Sequence, residues 1–179
     1  MGRSLRYLFA CLLLLASVQA QADIRPYGQA HLGAGGVRHS DLDFYPSFGS
    51  LSAGVFLFNN IGIEAFTDTP FSEGKRDVFE LDVSKASGFA ARFQSTASRG
   101  LQAYVLLGYV EYTLEQEERR DGANRKVVQD FEGIRVSVGI QQRLKVINGL
   151  IFGVEYRNYY ADSGITVDGL SAGLRYELP

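Results

Sequence analysis

Apolar and polar residues alternate one by one at the end of the chain, in GLSAGLRYELP (169–179). Leu170, Ala172, Leu174, Tyr176 and Leu178 fall on one side, and Gly169, Ser171, Gly173, Arg175 and Glu177 on the other. A period of two means a strand with two different faces. The same period recurs upstream, and no stretch after residue 23 keeps a helical period for three turns, so the pattern predicts an all-β chain.

Eight segments carry it. The first, 24–37, sets Ala30, Leu32 and Ala34 against Gln29, His31 and Gly33. The second and third, 50–58 and 61–67, flank Asn59-Asn60, a two-residue hairpin turn by composition. The fourth, 77–94, sets Phe79, Leu81, Val83, Phe89, Ala91 and Phe93 against a polar or small set ending in Arg92. Lys85 falls on its apolar side, which predicts a membrane boundary or a bulge there. The fifth, 101–114, is apolar on both sides, with Gly108 expected inward. The sixth, 131–144, turns Ile134, Val136, Val138 and Ile140 away from Arg135 and Ser137, and the seventh, 150–160, turns Phe152, Val154 and Tyr156 away from Glu155 and Arg157. The closing stretch is the eighth.

The connections alternate in length. Those at 59–60, 95–100 and 145–149 are short, whereas 38–49, 68–76 and 115–130 are long and polar, and 161–165 is shorter than that rule predicts. Short turns at one rim and long loops at the other form the hairpin pattern of an up-and-down transmembrane β-barrel with eight antiparallel strands.

The N-terminus supports export. MGRSLRYLFACLLLLASVQAQA has Arg3 and Arg6, an apolar run from Leu8 to Val18, and small residues at Ala20 and Ala22. That is the layout of a secretory signal peptide, expected to be cleaved after Ala22 or, alternatively, after Ala20. Residues 23–179 then form a single domain. The one cysteine, Cys11, lies in the leader, so disulfides are not expected. Two of the 18 Lys+Arg precede residue 23 and all 20 Asp+Glu follow it, leaving the mature chain at a net charge of −4. Nothing in that balance favours nucleic acid.

The character of the polar face decides which solvent the apolar face meets. A soluble ligand-binding barrel turns long hydrated side chains outward; here the polar face mixes Glu64, Arg92, Arg135, Glu155, Arg157, Arg175 and Glu177 with glycine, alanine and serine. Small residues and paired charges suit the narrow interior of an eight-stranded barrel, which its own side chains can fill. The apolar face is then expected to meet lipid, where only a closed sheet leaves no edge unpaired. Tyr112, Phe131, Tyr159, Tyr160 and Tyr176, near strand ends, are expected in an interfacial aromatic girdle.

Ser171, Gly173, Tyr176 and Leu178 follow the order polar-x-Gly-x-x-aromatic-x-hydrophobic. This resembles the signal by which the outer-membrane barrel assembly machinery recognises a last strand, and residues 24–178 as a whole resemble the small eight-stranded outer-membrane barrels of the OmpA-like and OmpX/Ail-like kind. Such chains usually end on an aromatic residue, whereas this one ends Leu178-Pro179. The resemblance implies the outer membrane of a Gram-negative bacterium, a monomer, lipid and lipopolysaccharide as surroundings, and a structural or surface-interaction role.

Candidate chemistry is sparse. His31 and His39 are the only histidines, so neither a metal site nor a cofactor is expected. His39, Ser40 and Asp41 contain the residue types of a hydrolytic relay, but as chain neighbours they read better as a solvated loop, and no catalytic residue is assigned. Arg119, Arg120, Arg125 and Lys126 in the loop 115–130 are candidates for contact with lipopolysaccharide phosphates or an acidic partner. DFYPSF (43–48) adds aromatics to the first loop, and Pro179 is expected just past the barrel seam. A lipid A-modifying enzyme, a narrow channel and a soluble periplasmic lipocalin-like barrel stand as alternatives.

Overall fold

The computed structural model describes the backbone of residues 24–39, 42–44, 47–71, 74–76, 79–120, 123–161 and 166–178, and side chains over 24–36, 47–71, 85–111, 113, 130–160 and 167–178. The leader, Ser40, Asp41 and Pro179 lie outside the described residues. Eight long strands form the wall: β1 (Arg25–His39), β2 (Ser47–Phe58), β3 (Ile61–Pro70), β4 (Phe79–Gln94), β5 (Leu101–Arg120), β6 (Ala123–Arg143), β7 (Leu150–Ala161) and β8 (Thr166–Glu177). Each pairs antiparallel with its neighbours in sequence, and β1 pairs with β8 from Tyr27–Glu177 to Arg38–Thr166, closing the sheet. Beyond that ladder, the Leu178 N–H donates to the Pro26 carbonyl at 2.9 Å.

The short turns behave as their residues dictate. Asn59-Asn60 joins β2 to β3. Arg99 and Gly100, with φ of 53° and 84°, link Ser98 to Leu101 as a mirror-image turn whose twist matches the flanking strands. The opposite rim departs from the expected loops. Two short strands, Leu42–Phe44 on β1 and Gly74–Arg76 on β4, occupy parts of the first two connections. The segment 115–130 is not a loop: β5 runs to Arg120 and β6 resumes at Ala123, in unbroken register from Tyr112–Phe131 to Arg120–Ala123. Polar composition marks where water begins and does not end backbone pairing.

The register shifts between Val83 and Lys85, leaving Lys85 exposed beside a bulge. A second shift lies between Phe56 and Phe58. Elsewhere the alternation sorts side chains cleanly. Large apolar residues face outward, including Leu32, Leu51, Ile63, Phe89, Ile134 and Leu170, while their neighbours face a narrow interior. Gly108 lies in the inward phase with the buried Leu106 and Val110.

Candidate functional site

The interior is lined by charge. Glu64, Arg92, Arg135, Glu155, Arg157, Arg175 and Glu177 are each between 0% and 7% exposed, inverting the usual partition in which charge faces out. They gather in three clusters. At mid-height, Arg92 Nη1 donates to Glu64 Oε2 at 3.0 Å and to Gln29 at 3.3 Å, and Arg92 Nη2 donates to Gln141 Oε1 at 2.9 Å. Tyr27 donates to the same Glu64 oxygen at 2.8 Å.

The second cluster lies toward the long strand ends. Glu155 Oε1 accepts from Arg135 at 2.8 Å and lies 3.1 Å from Arg157 Nη2, while Glu155 Oε2 accepts from the Tyr104 hydroxyl at 3.0 Å. Arg157 reaches on to Asp68 at 2.9 Å and to Ser171 at 3.2 Å, and Asp68 also accepts from Tyr159. His31 Nδ1 lies 3.3 Å from the Ser171 hydroxyl. The third cluster closes the short-turn end, where Glu177 pairs with Arg175 and Arg143, each at 2.8 Å, and with Arg25 at 3.7 Å.

Aromatic rings connect these clusters. Arg92 stands 4.0 Å from the Tyr104 centroid and 5.7 Å from that of Tyr27; Arg175 stands 5.3 Å from Tyr27 and 5.2 Å from Phe56; Arg25 stands 5.1 Å from Phe56. The lumen thus holds a run of guanidiniums alternating with rings, Arg25, Phe56, Arg175, Tyr27, Arg92 and Tyr104. Desolvated contacts of this kind contribute about 2 kcal/mol each. Arg135 over Phe66 at 4.0 Å and Arg157 over Phe48 at 4.8 Å repeat the motif. Glycines make room for the rings: a Cβ on Gly54 would fall 2.6 Å from the Tyr27 hydroxyl, and one on Gly139 would collide with the Tyr104 ring.

Several placements differ from the sequence reading. Asp68, expected in a loop, lies on β3 and faces the lumen, in phase with Glu64 and Phe66. Tyr159, expected in the girdle, is buried against Phe66 and donates to Asp68. Tyr160 and Tyr176 face outward, while the side chain of Tyr112 lies outside the described residues. Phe48, expected in an exposed loop, sits on β2 above Arg157. Strand phase alone would have found Asp68; nothing in a two-letter apolar/polar pattern marks Tyr27, Phe56, Phe66 and Tyr104 as lumen residues.

The last-strand residues divide between the faces, with Ser171 buried in the lumen network, Gly173 half-buried, and Tyr176 and Leu178 exposed. Arg119, Arg120, Arg125 and Lys126 belong to the extended β5–β6 hairpin, opposite Asn124, Ala123, Glu118 and Glu117 respectively. Their side chains, and those of His39, Ser40 and Asp41, lie outside the described residues. Among the described residues no cluster of His, Cys, Asp and Glu is arranged to hold a metal ion.

No protein-family model matches the sequence, and no curated protein does so significantly. Solved structures do. Ail of Yersinia pestis, in complex with the heparin analogue sucrose octasulfate, is similar with a TM-score of 0.64 at 12% identity, covering 87% of this chain and 99% of that one. Neisserial surface protein A is similar with a TM-score of 0.61 at 19% identity, covering 86% and 97%. The outer-membrane protein OprG from Pseudomonas aeruginosa is similar with a TM-score of 0.54 at 11% identity, covering 88% and 96%. Identities this low speak for the fold alone. The wall closed by β1 and β8, the outward apolar face and these likenesses agree: the chain has the fold of the small eight-stranded outer-membrane β-barrels.

Proposed function

We propose that the protein is an integral outer-membrane barrel of a Gram-negative bacterium, exported by a cleaved leader and inserted by the barrel assembly machinery. Its lumen is plugged, and its role is structural or surface-interacting without catalysis. The observation that carries this reading is the inverted wall. Outward apolar residues such as Leu32, Ile63, Leu107 and Leu170 are 48% to 66% exposed, while the charged ladder is sealed inside. In water such a surface would aggregate; in lipid it is the stable arrangement.

The charge ladder supports a plug, because Arg157 reaches across the interior from β7 to Asp68 on β3, and Arg92 on β4 reaches Gln29 on β1 and Gln141 on β6. The extended β5–β6 hairpin supports a surface role: Arg119, Arg120, Arg125 and Lys126 would reach beyond the lipid to the phosphates of lipopolysaccharide. Ail, solved with a polysulfated ligand, offers a parallel in ligand chemistry.

Electrophoresis of outer-membrane fractions with and without boiling is the decisive test. A faster band before boiling, confined to the outer membrane, is expected of a folded barrel, and recovery in the soluble periplasm would overturn the reading. Planar bilayers are expected to show no stepwise conductance, and lipid A masses to be unchanged on expression. Steady unitary currents would replace the plug with a channel, and altered lipid A would replace the structural role with an enzyme.

A further inference from the structure

Charge inside the barrel is not balanced evenly along its length. Toward the long strand ends Arg135 and Arg157 face Glu155 and Asp68, and at mid-height Arg92 faces Glu64. At the short-turn end Arg25, Arg143 and Arg175 share the single carboxylate of Glu177. Three guanidiniums against one carboxylate leave a formal excess of two positive charges there among the described residues; Arg143 and Arg25 are 42% and 26% exposed to solvent, whereas Arg175 is buried.

Arg92, Arg135 and Arg157 each leave one buried nitrogen without an acceptor among the described residues, whereas Arg175 leaves two. Arg175 is 2% exposed and gives Nη2 to Glu177, but among the described residues its Nε and Nη1 have no acceptor, and neither does the buried Nε of Arg25. Both guanidiniums are held together by Glu177 and by the Phe56 ring. Ring faces attract a guanidinium as a cation but offer no lone pair to its in-plane N–H groups. Charged donors left unmade away from water are costly, so this site calls for an acceptor.

We propose that the short-turn end of the lumen binds a small monovalent anion of the halide class, held by Arg175 Nε and Nη1 and Arg25 Nε. A water would offer these donors a lone pair but no charge, whereas three arginines here share one carboxylate. A halide brings negative charge and accepts from any direction.

The test uses the full barrel folded in detergent. Crystals grown in sodium bromide are expected to give anomalous density within hydrogen-bonding distance of Arg175 Nε; ordered water in its place, or an adventitious ion only at exposed arginines, would overturn the proposal. Thermal unfolding, read as the loss of the fast-migrating band, is compared in chloride and gluconate at equal ionic strength. The wild-type midpoint is expected to rise with chloride concentration, the rise to vanish in Arg175→Gln and to persist in Arg143→Gln. Equal midpoints in the two salts would overturn it. If Arg175→Gln does not fold, Glu177→Gln decides: without the competing carboxylate, the chloride response should move to lower concentrations, and an unmoved response would count against the site.

Discussion

The β5–β6 hairpin lives in two environments along one unbroken ladder. Over Leu101–Tyr109 and Ile134–Arg143 its side chains obey a strict division, with Val105, Leu107, Val136 and Val138 outward and Tyr104, Leu106, Arg135 and Ser137 buried. Beyond the Tyr112–Phe131 and Thr113–Asp130 pairs the backbone register continues, but the sequence no longer alternates between apolar and polar. Charged residues occupy positions of both phases, Glu115, Glu117, Arg119 and Lys126 in one and Glu118, Arg120 and Arg125 in the other. Thr113 donates to the exposed Asp130 at 2.8 Å, just where the change occurs. On the proposed reading the lower part is solvated by lipid and by the lumen, and the upper part by water twice. Hydrogen bonding built both halves; only side-chain chemistry distinguishes them.

Pairs of substitutions within this hairpin test that contrast. Arg135 and Arg125 lie on the same strand, yet Arg135→Ala removes a buried partner of Glu155 and the cation over Phe66, and is expected to cost about 3–5 kcal/mol, read from urea unfolding in detergent or lipid. Arg125→Ala is expected to stay within about 0.5 kcal/mol in the same titration. Equal losses at the two positions would erase the distinction. Next in size, Leu107→Arg puts a charge on the outward apolar face and is expected to cost about 2–4 kcal/mol in lipid vesicles. Glu117→Arg, farther along β5, should leave the midpoint nearly unmoved.

Gly139→Val overfills the lumen against Tyr104, at an expected cost of about 1–3 kcal/mol. A double-mutant cycle with Tyr104→Leu should reveal coupling of at least about 0.5 kcal/mol, since the smaller side chain relieves the clash. Additivity would show that the ring and the glycine do not share space. Replacing residues 115–128 by Asn-Gly joins the Leu114–Gln129 pair through a two-residue turn. Stability should change by less than about 1 kcal/mol, while retention on lipopolysaccharide or heparin resin is expected to fall. A barrel that failed to assemble without the extension would assign that ribbon a folding role.

The strands were legible because the period of two survives along nearly the whole wall, and Lys85 flagged its own bulge. Strand ends were not legible, because a polar stretch in water can stay paired as readily as it can form a loop; that is why 115–130 read as a connection. Asp68 was misplaced for a related reason. The polar run that begins at Asp68 reads as a connection, although counting on from Glu64 and Phe66 puts Asp68 inward. The lumen rings escaped because Tyr27, Phe56, Phe66 and Tyr104 are apolar in a binary code yet occupy the polar face. Their trace in the sequence is indirect, in the glycines at 54 and 139 that leave them space. Partnerships such as Asp68 with Arg157 and Tyr159 depend on which strands face each other across a closed ring, and no local pattern carries that.

The ladder between β1 and β8 makes the wall a cycle, with the covalent gap between residues 178 and 25 bridged by hydrogen bonds like any other pair of strands. In such a ring the order of strands along the chain is a matter of where the polypeptide happens to be opened. A circular permutant, opened at Asn59-Asn60 and with residues 24 and 178 linked, should therefore rebuild the same wall with a different strand inserted last. Comparing its insertion rate with that of the parent would separate what the closed cylinder requires from what the machinery reads in its final strand.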